Sequence, residues 1–227
     1  MPVPQPLWCC RRAAPDKPKP AELAPNTALM GVRLAWSAKI GTVDFPLEMR
    51  TLPGQIAVAS TDGTVALLNS QTGADVWRTQ VGESLTAGVG SDGQTSAVVT
   101  QSNNLVTLAA DGHELWRQKL SAQVYTAPLV AGARVFVLAA DRTVQAFDGK
   151  TGRKLWTQQR TGEALVLRQP GLILAVADTL VVGWSGRMVG LNPNSGSVRW
   201  DVPLASSRGT NDIERLVDLV GGASRDS

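Results

Sequence analysis

Thiol and imidazole side chains, which bind transition metals and act as nucleophiles, are scarce in this sequence. The chain has two cysteines, Cys9 and Cys10, and one histidine, His113. The cysteines are adjacent and lie in a proline-rich stretch, so they cannot form a framework of core disulfides, and a zinc site would lack its remaining ligands. This composition argues against a metal centre built from cysteine and histidine.

The acidic residues offer another route to chemistry, because carboxylates bind Ca²⁺ and can serve as general bases. A quinone-dependent dehydrogenase needs carboxylate and amide oxygens that converge on Ca²⁺, together with a catalytic aspartate. Nearly all the acids here, including Asp62, Asp111 and Asp148, instead fall in phrases typical of tight turns. We therefore expect no enzyme activity, no cofactor and no metal.

Composition sets further bounds on what the chain can contact. The 227 residues carry a net charge of +3, and no run of five or more like charges marks a nucleic-acid interface. The sequence contains no stretch of 18 consecutive apolar residues, so no transmembrane helix is predicted. Residues 1–27 hold seven of the 13 prolines, which is typical of an extended linker.

A sequence repeat predicts the secondary-structure elements that position these acidic turn residues. Tryptophans recur at steps of 41, 39, 40 and 44 residues, a period typical of propellers or helical arrays. Similar phrases precede the last four of them, for example DGTVALLNSQTGADVW (62–77) and DRTVQAFDGKTGRKLW (141–156). The recurring tryptophans are Trp36, Trp77, Trp116, Trp156 and Trp200.

Each phrase predicts a β-hairpin. In the third repeat, a strand from Thr143 to Asp148 leads to a turn in which Gly152 can take a positive φ, and a second strand ends near Trp156. Two more β-rich runs, 126–130 and 134–140, precede this hairpin. Four antiparallel strands per repeat predict an all-β fold, a β-propeller of four-stranded blades of which about four are present.

The tryptophans are expected to pack between adjacent blades, where their large apolar surface stabilises the array. Trp36 would then belong to an outer strand that precedes the first complete blade. The longest step contains residues 163–170, and the excess falls between a strand ending near Gln159 and one beginning near Leu172. We expect a projecting loop there, whose tip Leu-x-Leu-Arg has the apolar and arginine character of binding hot spots.

The chain resembles the BamB family of outer-membrane assembly lipoproteins, which are eight-bladed propellers of quinoprotein-type (PQQ) repeats. The resemblance covers about Lys17 to Val220. It rests on the blade phrases, on EALVLRQPG (163–171) and on SSRGTNDIERLVDLVG (206–221). The blade phrases are shared by all PQQ-repeat proteins, whereas the last stretch is much more specific.

The resemblance implies a non-enzymatic scaffold that binds no quinone. It would dock on the periplasmic POTRA domains of BamA and help barrel proteins insert, with nascent outer-membrane proteins as further partners. The residues that match the family's docking loop are Leu165, Leu167 and Arg168, and the acid of the neighbouring loop matches Asp218. A second acidic position is Val220 here.

The resemblance also implies an anchor at the periplasmic face of the outer membrane, with a lipid on Cys10 or Cys9. Leu7 lies three residues before Cys10, as a lipobox requires, but Trp8 and Cys9 are bulkier than its usual residues. No signal peptide is recognisable from Met1.

Several alternatives stay open from the residues alone. Leu165 and Leu167 could alternate into a blade core with Arg168 in solvent. Asn211 and Glu214 form a capping-box pattern that predicts a helix where the family has a loop. The chain could also be a fragment of a PQQ-dependent dehydrogenase, or a protein-binding propeller of another pathway.

The domain organisation that follows has three parts. Residues 1–27 form a tail, residues 28–220 a partial propeller, and residues 221–227 (GGASRDS) a stretch that stops matching where another blade should begin. We expect that Met1 is a displaced start and that the chain is truncated.

Overall fold

A computed structural model describes residues 33–160, 171–184 and 186–204. Sixteen β-strands in this part of the chain form four antiparallel sheets of four strands each. In every sheet the strands are adjacent in chain order, so each sheet is a meander. The described residues contain no helix, and the sheets follow one another as an open array of propeller blades. The predicted fold class is confirmed.

The strands are numbered in chain order, four to a blade. Blade 1 contains β1 (Arg50–Leu52), β2 (Gln55–Ala59), β3 (Thr64–Asn69) and β4 (Asp75–Gln80). Blade 2 contains β5 (Gly90–Ser91), β6 (Thr95–Val99), β7 (Asn104–Ala109) and β8 (Glu114–Lys119). Blade 3 contains β9 (Leu129–Ala131), β10 (Arg134–Leu138), β11 (Thr143–Asp148) and β12 (Lys154–Gln159). Blade 4 contains β13 (Ile173–Val176), β14 (Thr179–Trp184), β15 (Arg187–Leu191) and β16 (Val198–Pro203).

The turn between the third and fourth strands is built by its first and last residues. In blade 3, Asp148 Oδ1 accepts hydrogen bonds from the backbone N–H groups of Lys150 (3.2 Å) and Thr151 (2.9 Å). Gly152 then closes the turn at φ 71°, and its N–H donates to the carbonyl of Asp148. An asparagine and a glycine perform the same functions at residues 69–73 and 192–196. The repeated phrase is therefore a repeated turn.

Four of the five recurring tryptophans lie against the turn of the following blade, and those of blades 1 to 3 pack between adjacent blades as predicted. The indole of Trp116 covers Gly152 so closely that a Cβ on this glycine would lie 2.6 Å from the ring. Its Nε1 donates to the carbonyl of Gly149 at 2.8 Å. Trp36 contacts Gly73 of blade 1 in the same way, Trp77 contacts Gly112, and Trp156 contacts Gly196.

The core lies between the blades, because the middle strands of a blade are buried on both faces. In β6, Val98 belongs to the cluster shared with blade 1, whereas Ala97 and Val99 belong to the cluster shared with blade 3. A third cluster joins blade 3 to blade 4, with Phe136 and Leu180 in its centre. Each buried side chain of this size contributes about 1.5–3 kcal/mol, so the junctions supply most of the stabilising energy.

Two details of the strand prediction are wrong. Trp36 was expected in an outer strand, but no strand is assigned among residues 33–49. An outer strand needs a third strand to pair with, and none of the described strands is available beside it. The first strand of blade 3 was expected to begin at Thr126 and instead begins at Leu129. Thr126 belongs to the preceding connection, where its hydroxyl accepts a hydrogen bond from Gly171.

Residues 33–160, 171–184 and 186–204 include no helix that could span a membrane.

Candidate partner-docking face

One face of the array is formed by the connections between blades. Residues 81–89, 120–128 and 160–172 join the last strand of one blade to the first strand of the next. The first two of these connections lie beside the turns between the second and third strands, at residues 60–63, 100–103 and 139–142. Backbone hydrogen bonds fix this arrangement, from Leu85 N to Thr61 O, Gln101 N to Ser84 O and Ala140 N to Gln123 O. We call this surface the connection face.

The third connection is longer than the other two. It has thirteen residues, 160–172, where the first and second have nine, 81–89 and 120–128. The extra residues therefore lie where the tryptophan spacing placed them. The predicted docking residues Leu165, Leu167 and Arg168 fall in this connection, within residues 161–170, and lie outside the described residues. Of its residues, Arg160 at the first end and Gly171 and Leu172 at the second are described.

The other predicted site residues also lie outside the described part of the chain. Asp218 falls within residues 205–227, as do Asn211 and Glu214 of the predicted capping box. The candidate lipidation sites Cys10 and Cys9 fall within residues 1–32.

The first end of the long connection is joined to blade 4 by an ion-pair cluster. Arg160 Nη1 lies 2.9 Å from Asp201 Oδ2, and Arg187 Nε lies 2.6 Å from Asp201 Oδ1. Partial burial acts to raise the pKa of Asp201, but the hydrogen bonds and charges of the two guanidinium groups outweigh it. The net result is a lowered pKa, so Asp201 is a carboxylate at neutral pH.

The second end of the long connection contacts the second connection and blade 3. The backbone N–H of Gly171 donates to the Thr126 hydroxyl at 2.8 Å. Thr126 is buried, and Leu138 of β10 lies directly beside Gly171. One end of the connection is thus held by Asp201 of blade 4, and the other by Thr126 of the second connection.

The first connection carries an ion-pair cluster in which the acidic and basic residues have exchanged positions. The carboxylate of Glu83 accepts from Arg117 Nη1 at 2.6 Å and from the side-chain amide of Asn104. A hydrogen bond with Thr100 has the largest effect on the pKa of Glu83 and lowers it; Ser102, Asn104 and Arg117 act in the same direction. An acid on the connection and a base on the outer strand therefore stabilise blade 2, whereas blade 4 has the reverse arrangement.

The turn acids are used structurally, as their sequence context predicted. Asp62 Oδ1 accepts from Ser60 Oγ at 2.6 Å and from the backbone N–H of Thr64 at 3.0 Å. The hydrogen bond from the Thr151 hydroxyl is the largest influence lowering the pKa of Asp148. Among the described residues, no group of three or more histidine, cysteine, aspartate or glutamate side chains could hold a metal ion.

A cleft of about 320 Å³ runs beside the first strands of the blades. Its described lining supplies one carboxylate, Glu48, with Arg50 and Thr126 as the other side chains able to bind polar groups. Burial raises the pKa of Glu48, and the charge of Arg50 opposes this only in part. One carboxylate falls short of the converging oxygen set that Ca²⁺ requires.

The residues Arg160, Asp201, Arg187 and Thr126 were missed by the sequence analysis. One signal was available, because the residue after each tryptophan changes from Arg78 and Arg117 in the first two blades to Asp201 in the fourth. No sequence pattern links Thr126 to Gly171.

Known proteins with similar sequences and folds identify the family. A family model described as outer membrane protein assembly factor BamB matches residues 61–227. The chain is 34% identical over 208 residues to the outer membrane protein assembly factor BamB of Bordetella pertussis, covering 91% of this chain and 54% of that protein.

Two solved structures share the fold. BamB from Moraxella catarrhalis superposes with a TM-score of 0.73 at 23% identity, covering 85% of this chain and 59% of that one. A europium-containing methanol dehydrogenase superposes with a TM-score of 0.57 at 17% identity, covering 75% of this chain and 44% of that one. At these identities the superpositions establish the fold alone.

The chain spans about half the length of the curated relatives it matches. Its match to the family model extends over most of its residues and includes all of blades 2, 3 and 4. The chain therefore belongs to the BamB family of outer membrane protein assembly factors.

Proposed function

We propose that this chain is a docking scaffold for outer-membrane protein assembly, and that it binds the periplasmic POTRA domains of BamA through its connection face. The observation that carries the proposal is the long third connection, whose four additional residues lie in a segment containing Leu165, Leu167 and Arg168. Two apolar side chains beside a guanidinium are suited to a protein partner, because arginine and large apolar groups dominate binding hot spots.

A non-catalytic role is the second part of the proposal. The turn acids accept hydrogen bonds from backbone and hydroxyl groups of their own turns, as Asp62 and Asp148 do. They are therefore committed to the fold and are not grouped around a reacting centre. The scaffold would act by holding the POTRA domains, and nascent outer-membrane proteins would be a further class of partner.

The binding test is calorimetric titration of the full chain with purified POTRA domains of the cognate BamA. Arg168→Glu reverses the charge at the proposed docking tip and should weaken binding at least about tenfold, as expected for a hot-spot arginine. Arg153→Glu is the matched control, because Arg153 is exposed and lies beside the turn at the opposite ends of the blade 3 strands. It should bind like the parent. A folded parent that shows no heat of binding would refute the proposed partner.

Membrane attachment through an acylated cysteine is the remaining proposal, with Cys10 or Cys9 as the modified residue and the periplasmic face of the outer membrane as the location. Acyl chains supply the anchoring energy, at about 0.8 kcal/mol for each buried CH₂ group. Mass spectrometry of the N-terminal peptide from membrane-extracted protein should show the acyl mass. An unmodified peptide would exclude this mode of attachment.

A further inference from the structure

The residue that follows the recurring tryptophan differs in blade 4. In blades 1 and 2 it is an arginine that pairs with an acid three residues earlier in the same strand: Arg78 with Asp75 at 2.8 Å, and Arg117 with Glu114 at 2.9 Å. In blade 4 the charge is reversed, and the position three residues before Asp201 is occupied by a valine. Asp201 therefore has no such partner within its own strand.

Asp201 instead pairs with two arginines on other elements. Arg187 lies on the neighbouring strand β15, two residues from the position opposite Asp201, and Arg160 directly follows β12 of the preceding blade. The side chains of Arg160 and Asp201 are 31% and 28% exposed, so this pair is less screened by water than a fully exposed pair. It connects the start of the long connection to the next blade.

The geometry points to Asp201 as a positioning residue for the docking loop, acting through Arg160 on the first end of the long connection, while Thr126 holds the second end at Gly171. This inference rests on the proposed docking function. Restricting both ends of a loop reduces the conformational entropy that partner binding must remove, which improves affinity without adding any contact to the partner.

A purely structural role for the cluster makes a different prediction. If the pair only stabilised the packing of blade 4, its removal would change the free energy of unfolding and leave the affinity of the folded protein unaltered. Affinity must therefore be measured separately from stability, and the dynamics of the connection must be measured directly.

The test uses two single variants and one control in the full chain. Asp201→Asn removes the charge at nearly constant size, and Arg160→Gln breaks the same pair while leaving Asp201 bonded to Arg187. Asp178→Asn is the control, because Asp178 also pairs with an arginine of blade 4, Arg199 at 2.8 Å, but is 80% exposed and lies between β13 and β14, at the opposite ends of the strands.

We expect Asp201→Asn and Arg160→Gln each to weaken POTRA binding about three- to tenfold, and Asp178→Asn to change it less than about twofold. The double variant should bind no more weakly than either single variant, since both act on one interaction. Amide hydrogen exchange over residues 161–170 of the free protein should become faster in both variants and stay unchanged in the control.

Parent-like affinity of both folded variants, or additive losses in the double variant, would overturn the inference. If the parent itself does not bind POTRA domains, the docking function fails, and hydrogen exchange in the free protein still decides the positioning role. Faster exchange over residues 161–170 in Arg160→Gln would support it, and unchanged exchange would refute it even if Asp201→Asn failed to fold.

Discussion

The last glycine of each long turn satisfies two requirements at once. Gly152 has φ 71°, a conformation that costs a residue with a side chain about 1–2 kcal/mol. It also lies against the Trp116 ring, where no Cβ fits. The backbone requirement belongs to the turn, whereas the steric requirement belongs to the junction between blades. These two contributions can be separated, because Gly54 has φ 74° with no atom within 4 Å of the place a Cβ would occupy.

Gly152→Ala should therefore destabilise the protein more than Gly54→Ala. Both substitutions strain the backbone to a similar extent, but only the first inserts a methyl group into the Trp116 ring. Overpacking of this kind costs about 1–3 kcal/mol beyond the backbone strain. Urea denaturation followed by circular dichroism gives both free energies of unfolding. Equal losses would show that the indole moves aside without cost.

Individual residues were predictable from sequence where a local turn explains them. Asp148 and Gly152 perform the functions that their positions in the phrase DGKTG predicted. The partners of Asp201 were not predictable, because Arg187 and Arg160 are 14 and 41 residues away and no local pattern connects them to it. Long-range pairs of this kind depend on how neighbouring blades face each other.

At the level of elements, the tryptophan junctions are similar in packing but differ in hydrogen bonding. Trp36, Trp116 and Trp156 donate from Nε1 to a backbone carbonyl in the turn of the following blade. Nε1 of Trp77 is buried without a partner. The turn it meets is the shortened one at Asp111–Gly112, in which the carbonyl of Gly112 accepts from the Thr79 hydroxyl instead.

This difference predicts unequal costs for the same substitution. Trp116 and Trp77 are both 9% exposed, so replacement by phenylalanine removes a similar apolar area from each junction. Trp116→Phe also leaves the Gly149 carbonyl without its donor, whereas Trp77→Phe removes an N–H group that was already unsatisfied. Trp116→Phe should therefore cost about 1–2 kcal/mol more.

Free energies of unfolding from urea titrations of the two variants test this prediction. A Thr79→Val variant serves as a control for the shortened turn, since it removes the donor that satisfies Gly112. A larger loss for Trp77→Phe than for Trp116→Phe would contradict the hydrogen-bond argument.

Strands were predictable where turns bound them on both sides. The predicted strand 143–148 matches β11 in full. The prediction was wrong where pairing partners decide the outcome, since residues 33–49 pair with no described strand although Trp36 contacts blade 1 as expected. A propensity for β-structure becomes a strand only when a neighbour accepts its hydrogen bonds.

At the scale of the molecule, the surface of blade 4 that carries Trp200 differs from the corresponding surfaces of blades 1 to 3. In blades 1 to 3 each tryptophan is covered by the following blade, but Trp200 is 38% exposed. Three more apolar side chains on β16 or directly after it are also exposed, namely Val198, Val202 and Leu204. No further sheet covers this surface within the described part of the chain. The indole of Trp200 is therefore less buried than those of Trp77 and Trp116.

Trp200→Ala should consequently cost less than Trp116→Ala. Truncating a buried tryptophan costs about 3–5 kcal/mol, and we expect about 1–2 kcal/mol at Trp200, where much of the indole already contacts water. The comparison is made from denaturation midpoints at fixed protein concentration. Equal costs would mean that some other surface buries Trp200 in solution.

The architecture as a whole was predictable because it is repetitive. Five tryptophans and three similar turns were enough to establish the blade, and the 44-residue step was enough to locate the long connection. The contacts that hold the ends of this connection were not predictable, since each joins residues more than 40 positions apart in the sequence. Repetition identifies what the blades share, and the site depends on what distinguishes one blade from the next.

The contact between each tryptophan and the next turn also bears on how the chain folds. The hydrogen bonds of Trp36, Trp116 and Trp156 span 34, 33 and 37 residues. These three junctions therefore form between neighbouring stretches of the sequence and involve no distant residues. An unfolded blade can bury its apolar surface as soon as its successor packs against it, which shortens the time for which that surface is exposed to aggregation.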